Sequence, residues 1–97
     1  MNDDDILTLL QTLHRPIFFT RDPGFYAREN LNPRYAIVCL AVGKYEVATF
    51  VRRILALRAR RMQSFLVGKI ASAGHTGMRF LQFRGTERPI IWKTKLI

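Results

Sequence analysis

The run "RYAIVCLAV", Arg34 to Val42, decides what this chain can fold into, because it is apolar from Tyr35 through Val42 with no alternation. A segment of that kind is either a strand buried on both faces or a helix buried all round. Its β-branched and aromatic residues suit a pleated surface, so a strand is preferred. Asn32-Pro33 before it and Gly43 after it keep the helix open as an alternative: Asn suits a cap, Pro the first helical position and Gly the stop.

The flanking segments read more plainly. Asn2 or Asp3 can cap a first helix over about residues 4–14, in which Ile6, Leu9, Leu10 and Leu13 form one apolar stripe and Pro16 ends the helical pattern. Asp3, Asp4 and Asp5 complement the positive helix end. "IFFT" (Ile17 to Thr20) reads as a short strand, and Arg21 to Pro33 as a turn-rich connection with a helical turn around Tyr26 to Glu29.

From Lys44 the period is helical, and a long basic helix is expected over residues 44–61. Val47, Val51, Ile54 and Leu55 line one side with Phe50 and Leu57 beside them, while Arg52, Arg53, Ala56 and Arg60 fall opposite. Arg58 and Arg61 interrupt the apolar arc itself, and unpaired guanidiniums are not buried at reasonable cost. Either the helix leaves the core after about Leu57, or it stops near Arg60 and another element begins at Met62.

Ser64 to Gly77 reads equally as the end of a helix, a second helix, or a strand entering a hairpin through "GHTG". Met78 to Arg84 and Arg88 to Ile97 flank "GTE" and suit a β-hairpin. The expected architecture is α+β: a single domain over 1–97 with an N-terminal helix, a central basic helix and a C-terminal hairpin. That order is compatible with a winged helix. A helix-turn-helix over 33–61, with its turn at Gly43, is the alternative if 34–42 is helical.

At 97 residues with 48% apolar content the chain can bury a core without disulfides or metal. Cys39, the one cysteine, reads as a small buried hydrophobe, and the acidic, amphipathic start does not resemble a secretory signal. No apolar run approaches a membrane span, so a cytoplasmic location is expected.

Charge supplies the functional signal. Residues 1–30 carry three bases and five acids, a net of −2, whereas residues 31–97 carry thirteen bases against Glu46 and Glu87, a net of +11. Such a field favours polyanions, nucleic acid first. The candidate nucleic-acid-binding residues are Arg52, Arg53, Arg58, Arg60 and Arg61 on the helix, then Lys69, Arg79, Arg84, Lys93 and Lys95, with Arg88 beside them. Arginine dominates, and its planar fork takes a phosphate by two hydrogen bonds. Gln63 and Gln82 are the only amides in this region suited to adenine edges, so phosphate contact is better supported than sequence readout.

Catalytic and cofactor signatures are missing. Neither "GK" continues a phosphate loop, since Tyr45 and Ile70 follow where Ser or Thr is needed. His14 and His75 lie far apart and match no metal spacing, and a thiol in "AIVCLAV" is a poor nucleophile. The expectation is therefore a small DNA-binding regulatory or accessory protein, not an enzyme, with no cofactor or metal and with a homodimer suggested by its apolar content. The alternatives are RNA binding, a small RNA-cleaving toxin using Arg79 and Arg84, a membrane-surface helix over 47–66, and an interaction protein docking an acidic partner.

Overall fold

The computed structural model describes residues 2–56, 62–86 and 88–92. The apolar run is the strand preferred above. Its core, β2 (Ala36–Leu40), is buried at every residue and lies inside a mixed sheet of order β1-β2-β3-β4-β5. β1 (Ile17–Thr20) and β3 (Ile70–Ala73) flank it in parallel, which explains a continuous apolar sequence: crossover connections cover both faces of parallel strands. The strand reading thereby displaces the helix-turn-helix alternative.

β4 (Gly77–Leu81) pairs antiparallel with β3, and β5 (Ile90–Ile91) antiparallel with β4. The C-terminal hairpin therefore exists, but its first strand ends at Leu81 rather than Arg84 and its second begins at Ile90 rather than Arg88; residues 93–97 of the expected second strand lie outside the described residues. β3 sets this limit: its first residue, Ile70, faces Leu81, and the chain before it turns away through Gly68 (φ +91°), leaving nothing for Gln82 to Arg84 to pair with.

Asn2 caps α1 (Asp3–Thr12) through a reciprocal capping box, its side chain accepting from the Asp5 N–H at 2.9 Å. After β1, two 3-10 turns, Pro23–Phe25 and Arg28–Asn30, replace the single turn expected around Tyr26 to Glu29. α1 and these turns cover one face, where Leu10, Phe25, Tyr35, Ile37, Cys39 and Ile70 form a core. Phe18 meets Phe25 edge to face there, at 5.4 Å between ring centroids.

The other face carries the larger core. α2 (Val47–Ala56) and α3 (Met62–Leu66) press Phe50, Ile54, Met62 and Leu66 onto Val38, Leu40, Ala71, Ala73 and Met78. Val47, Phe50, Val51 and Ile54 form the inner stripe of α2, spaced three and four residues apart. Leu55 departs from the expected stripe and is 41% exposed, being rotated one residue beyond Ile54. α2 crosses over between parallel strands and packs flat on the sheet, whereas a winged helix would leave its second helix free to enter a groove. Among the described residues no helix is long and apolar enough to cross a membrane.

Candidate nucleic-acid interface

A parallel sheet has an amino edge and a carboxyl edge, and this fold sorts charged residues between them. Arg15 lies two residues before β1, Arg34 two before β2, and Lys69 directly before β3, while Arg84 follows three after β4, which ends at the same edge. Four strands at a spacing of about 4.8 Å make this edge about 14 Å wide. Hydrogen bonds hold it together: Ala36 N donates to Pro16 O at 2.9 Å, Gly68 N to Tyr35 O at 2.9 Å, and Arg28 Nη2 to Gln82 O at 3.0 Å. A 280 Å³ cavity beside Leu13, His14, Arg15, Pro33 and Arg34 indents it.

Arg15 adopts φ +50°, the one left-handed residue other than glycine among those described. Such a conformation costs an ordinary side chain on the order of 1 kcal/mol. The Gln63 side-chain amide fixes it by donating to the Arg15 carbonyl, so the first turn of α3 holds the entrance to β1.

The acids lie mainly elsewhere. Asp22 follows β1 and Glu46 precedes α2, both at the carboxyl edge, and Asp3 to Asp5 occupy the start of α1, about 15 Å along its axis from the last turn. Glu29, beside Arg28, is the exception. Among the described residues the only contact between a carboxylate and a basic side chain is the hydrogen bond between Glu46 Oε2 and His75 Nε2 at 2.8 Å. That contact, with the Gly43 N–H donating to Glu46 Oε1 at 2.9 Å, holds the Glu46 carboxyl below its ordinary value.

The predicted site residues divide sharply. Arg52 and Arg53 project from the exposed side of α2, in the half of the helix that returns toward the amino edge. Arg84 and Arg88 are exposed in the β4–β5 loop, and these four guanidiniums have no hydrogen-bond or ion-pair partner among the described residues. Lys69 is more constrained: its ammonium donates to Phe65 O at 2.6 Å and sits 4.5 Å from the Phe65 ring centroid, capping the carbonyl end of α3. Arg79 does not join the α2 arginines. Met78 and Phe80 face α2 and α3, so alternation sends Arg79 to the opposite side of the sheet, in line with Ser72, Cys39 and Thr20. Arg58, Arg60, Arg61, Lys93 and Lys95 lie outside the described residues.

Arg15, Arg28 and Arg34 belong to this edge although the sequence does not single them out. They sit in or next to the net-acidic first third of the chain, and only the parallel pairing of β1 and β2 brings them beside Lys69 and Arg84. Cys39 offers no chemistry of its own. Burial, reinforced by the charge of Asp22, pushes its thiol up to about 11, leaving on the order of one thiolate in 10⁴ at pH 7. Among the described residues no three metal-ligating side chains converge.

In comparisons with known proteins, no family model, curated protein or solved structure matches the chain.

Proposed function

We propose that the protein binds nucleic acid, duplex DNA ahead of RNA, through the amino edge of its sheet and the adjoining arginines of α2. The observation that carries this reading is the gathering of Arg15, Arg34, Lys69 and Arg84 from four separate stretches of chain along one edge of a protein of net charge +9. Unpaired arginines on a rigid rim engage phosphates without base contacts. Phe83, 54% exposed, is the one exposed aromatic near this rim among the described residues, which suits a duplex backbone better than stacked single-strand bases. On this reading the protein is a regulatory or accessory binding protein of the cytoplasm rather than an enzyme, and it pairs with a second copy to double its phosphate contacts.

The test is an electrophoretic mobility shift on duplex DNA, single-stranded DNA and RNA at 50 and 200 mM salt. With six phosphate contacts, duplex affinity falls about 10³-fold between those concentrations. Affinity that is flat with salt rules the reading out. Stronger binding to RNA transfers it to that polymer, and RNA cleavage by the purified protein replaces it with the nuclease alternative.

A further inference from the structure

The opposite, carboxyl edge holds a wide cavity. Its volume is about 470 Å³, and Ser72, Thr76, Arg79, Ile90 and Ile91 are among its walls. A second cavity of about 160 Å³ continues from it, sharing Ala41 and Ser72 and reaching Arg21, Pro23, Tyr26 and Cys39. The register explains the opening. On the α1 side of the sheet, α1 and the 3-10 turns pack over the row Phe18, Ile37, Ile70 and Leu81. The next row, Thr20, Cys39, Ser72 and Arg79, lies one pleat nearer the carboxyl edge, and from Ser72 to Arg79 it forms a groove wall. The cavities lie at the carboxyl ends of β2 and β3, and together they reach the size of small-ligand sites.

We infer that this groove binds a phosphomonoester carried on a flat ring, as in a nucleoside monophosphate. The phosphate belongs in the larger cavity. Arg79 is exposed there, its guanidinium has no partner among the described residues, and the hydroxyls of Ser72 and Thr76 stand on the same walls. Among the described residues no carboxylate lines either cavity. The smaller cavity takes the ring, because Pro23 and the half-buried Tyr26 give it an apolar, aromatic wall. Asp22 enforces this polarity: its carboxylate accepts from the Gly24 N–H at 2.8 Å and its charge reaches Cys39, so the smaller end disfavours a second anion. Arg21 is itself committed there, Nε donating to Val42 O at 3.0 Å, and its remaining N–H groups serve the polar rim of a ring. The floor is rigid because Ala41 N donates to Ala73 O at 2.7 Å and the Trp92 indole N–H to Gly74 O at 2.7 Å.

This inference uses none of the amino-edge residues and stands or falls separately from nucleic-acid binding. Its test is titration of the isotope-labelled full chain with adenosine 5′-monophosphate, followed by amide NMR shifts. Saturable shifts at Ser72, Thr76, Gly77 and Arg79 around the phosphate, and at Tyr26 and Cys39 around the ring, are expected, with a dissociation constant on the order of 10⁻⁴ M. Adenosine and inorganic phosphate should each bind at least about tenfold more weakly. Arg79→Ala should weaken the nucleotide about tenfold, and Ala41→Leu, which fills the junction of the cavities while keeping Arg79, should abolish the shifts. The inference is overturned by the absence of saturable shifts up to about 10 mM nucleotide. Equal binding of inorganic phosphate, or shifts unchanged in both variants, overturns it as well.

Discussion

The side-chain amide of Gln63 donates to the carbonyl of Arg15, joining two residues 48 positions apart and fixing the entrance of β1 against the first turn of α3. Arg15 is held in a left-handed conformation at that junction, so the contact links backbone strain to the proposed interface. Arg15→Gly should raise stability by about 0.5–1 kcal/mol in urea unfolding while weakening DNA binding, since it relieves the strain and removes a phosphate contact. Loss of stability in this variant would show that the arginine side chain is itself structural.

The rim arginines act by charge, so their removal should be read in salt dependence rather than in affinity at one condition. Each of Arg15→Ala, Arg34→Ala and Arg84→Ala should lower the slope of log K against log salt by about 1, uniformly across DNA sequences. The same change at Arg79, on the other side of the sheet, should leave that slope unaltered. Mobility shifts over a salt series distinguish the two.

Phe50 and Ile54 are fully buried between α2 and the sheet. Phe50→Ala should cost about 3–5 kcal/mol and Ile54→Val about 0.5–1.5 kcal/mol, both measurable by chemical denaturation. Phe50 also stacks edge to face on His75 at 5.3 Å, so the first variant should disturb the His75 ring resonances as well.

Glu46 should govern part of the acid limb of stability. Its carboxyl is held down first by the His75 hydrogen bond and then by the Gly43 N–H, so its folded value lies beneath the unfolded one. Its contribution is therefore present above the ordinary glutamate range and is lost as pH falls through the lower, folded value. Thermal melts between pH 7 and pH 3 should show a shallower decline for Glu46→Gln than for the native chain. Identical declines would mean that the pair has no energetic role.

Gly77 meets the backbone of β5 so closely that a Cβ placed there would lie 1.9 Å from the Ile90 carbonyl oxygen. Gly77→Ala should therefore detach β5 from β4 and deform the groove wall at Ile90 and Ile91. Loss of amide protection at Ile91 and Trp92 in hydrogen exchange, with β1 to β3 still protected, is the expected result.

Local chemistry made several elements legible in advance. The Asn2 cap and the spacing of Ile6 and Leu10 mark α1, although Leu9 and Leu13 of the expected stripe are exposed and Leu7 packs inward instead; "IFFT" matches β1, and the two-sided apolarity of residues 36–40 anticipates a strand covered on both faces. The parallel order itself was not legible. It depends on the crossovers between β1 and β2 and between β2 and β3, whose direction no local pattern encodes. That gap carried over to the site. Arg15 and Arg34 look unremarkable until β1 and β2 lie side by side, and Arg79 and Arg84 look like one basic strand until alternation and the end of β3 separate them. Loop closure hid the groove as well, since Tyr26, Ala41 and Arg79 meet only through the cavities they border.

An excess of bases at the amino edge and of acids toward the carboxyl edge, where Arg21, Lys44 and Arg79 also lie, gives the molecule an axis of polarity parallel to the strands. In the field of a polyanion such a particle turns before it touches, presenting its basic rim first and collapsing a random encounter into one approach. The mouth beside Arg79 then faces bulk solvent on the far side. A small solute can enter or leave it while the rim remains occupied, so the two events need not compete for space.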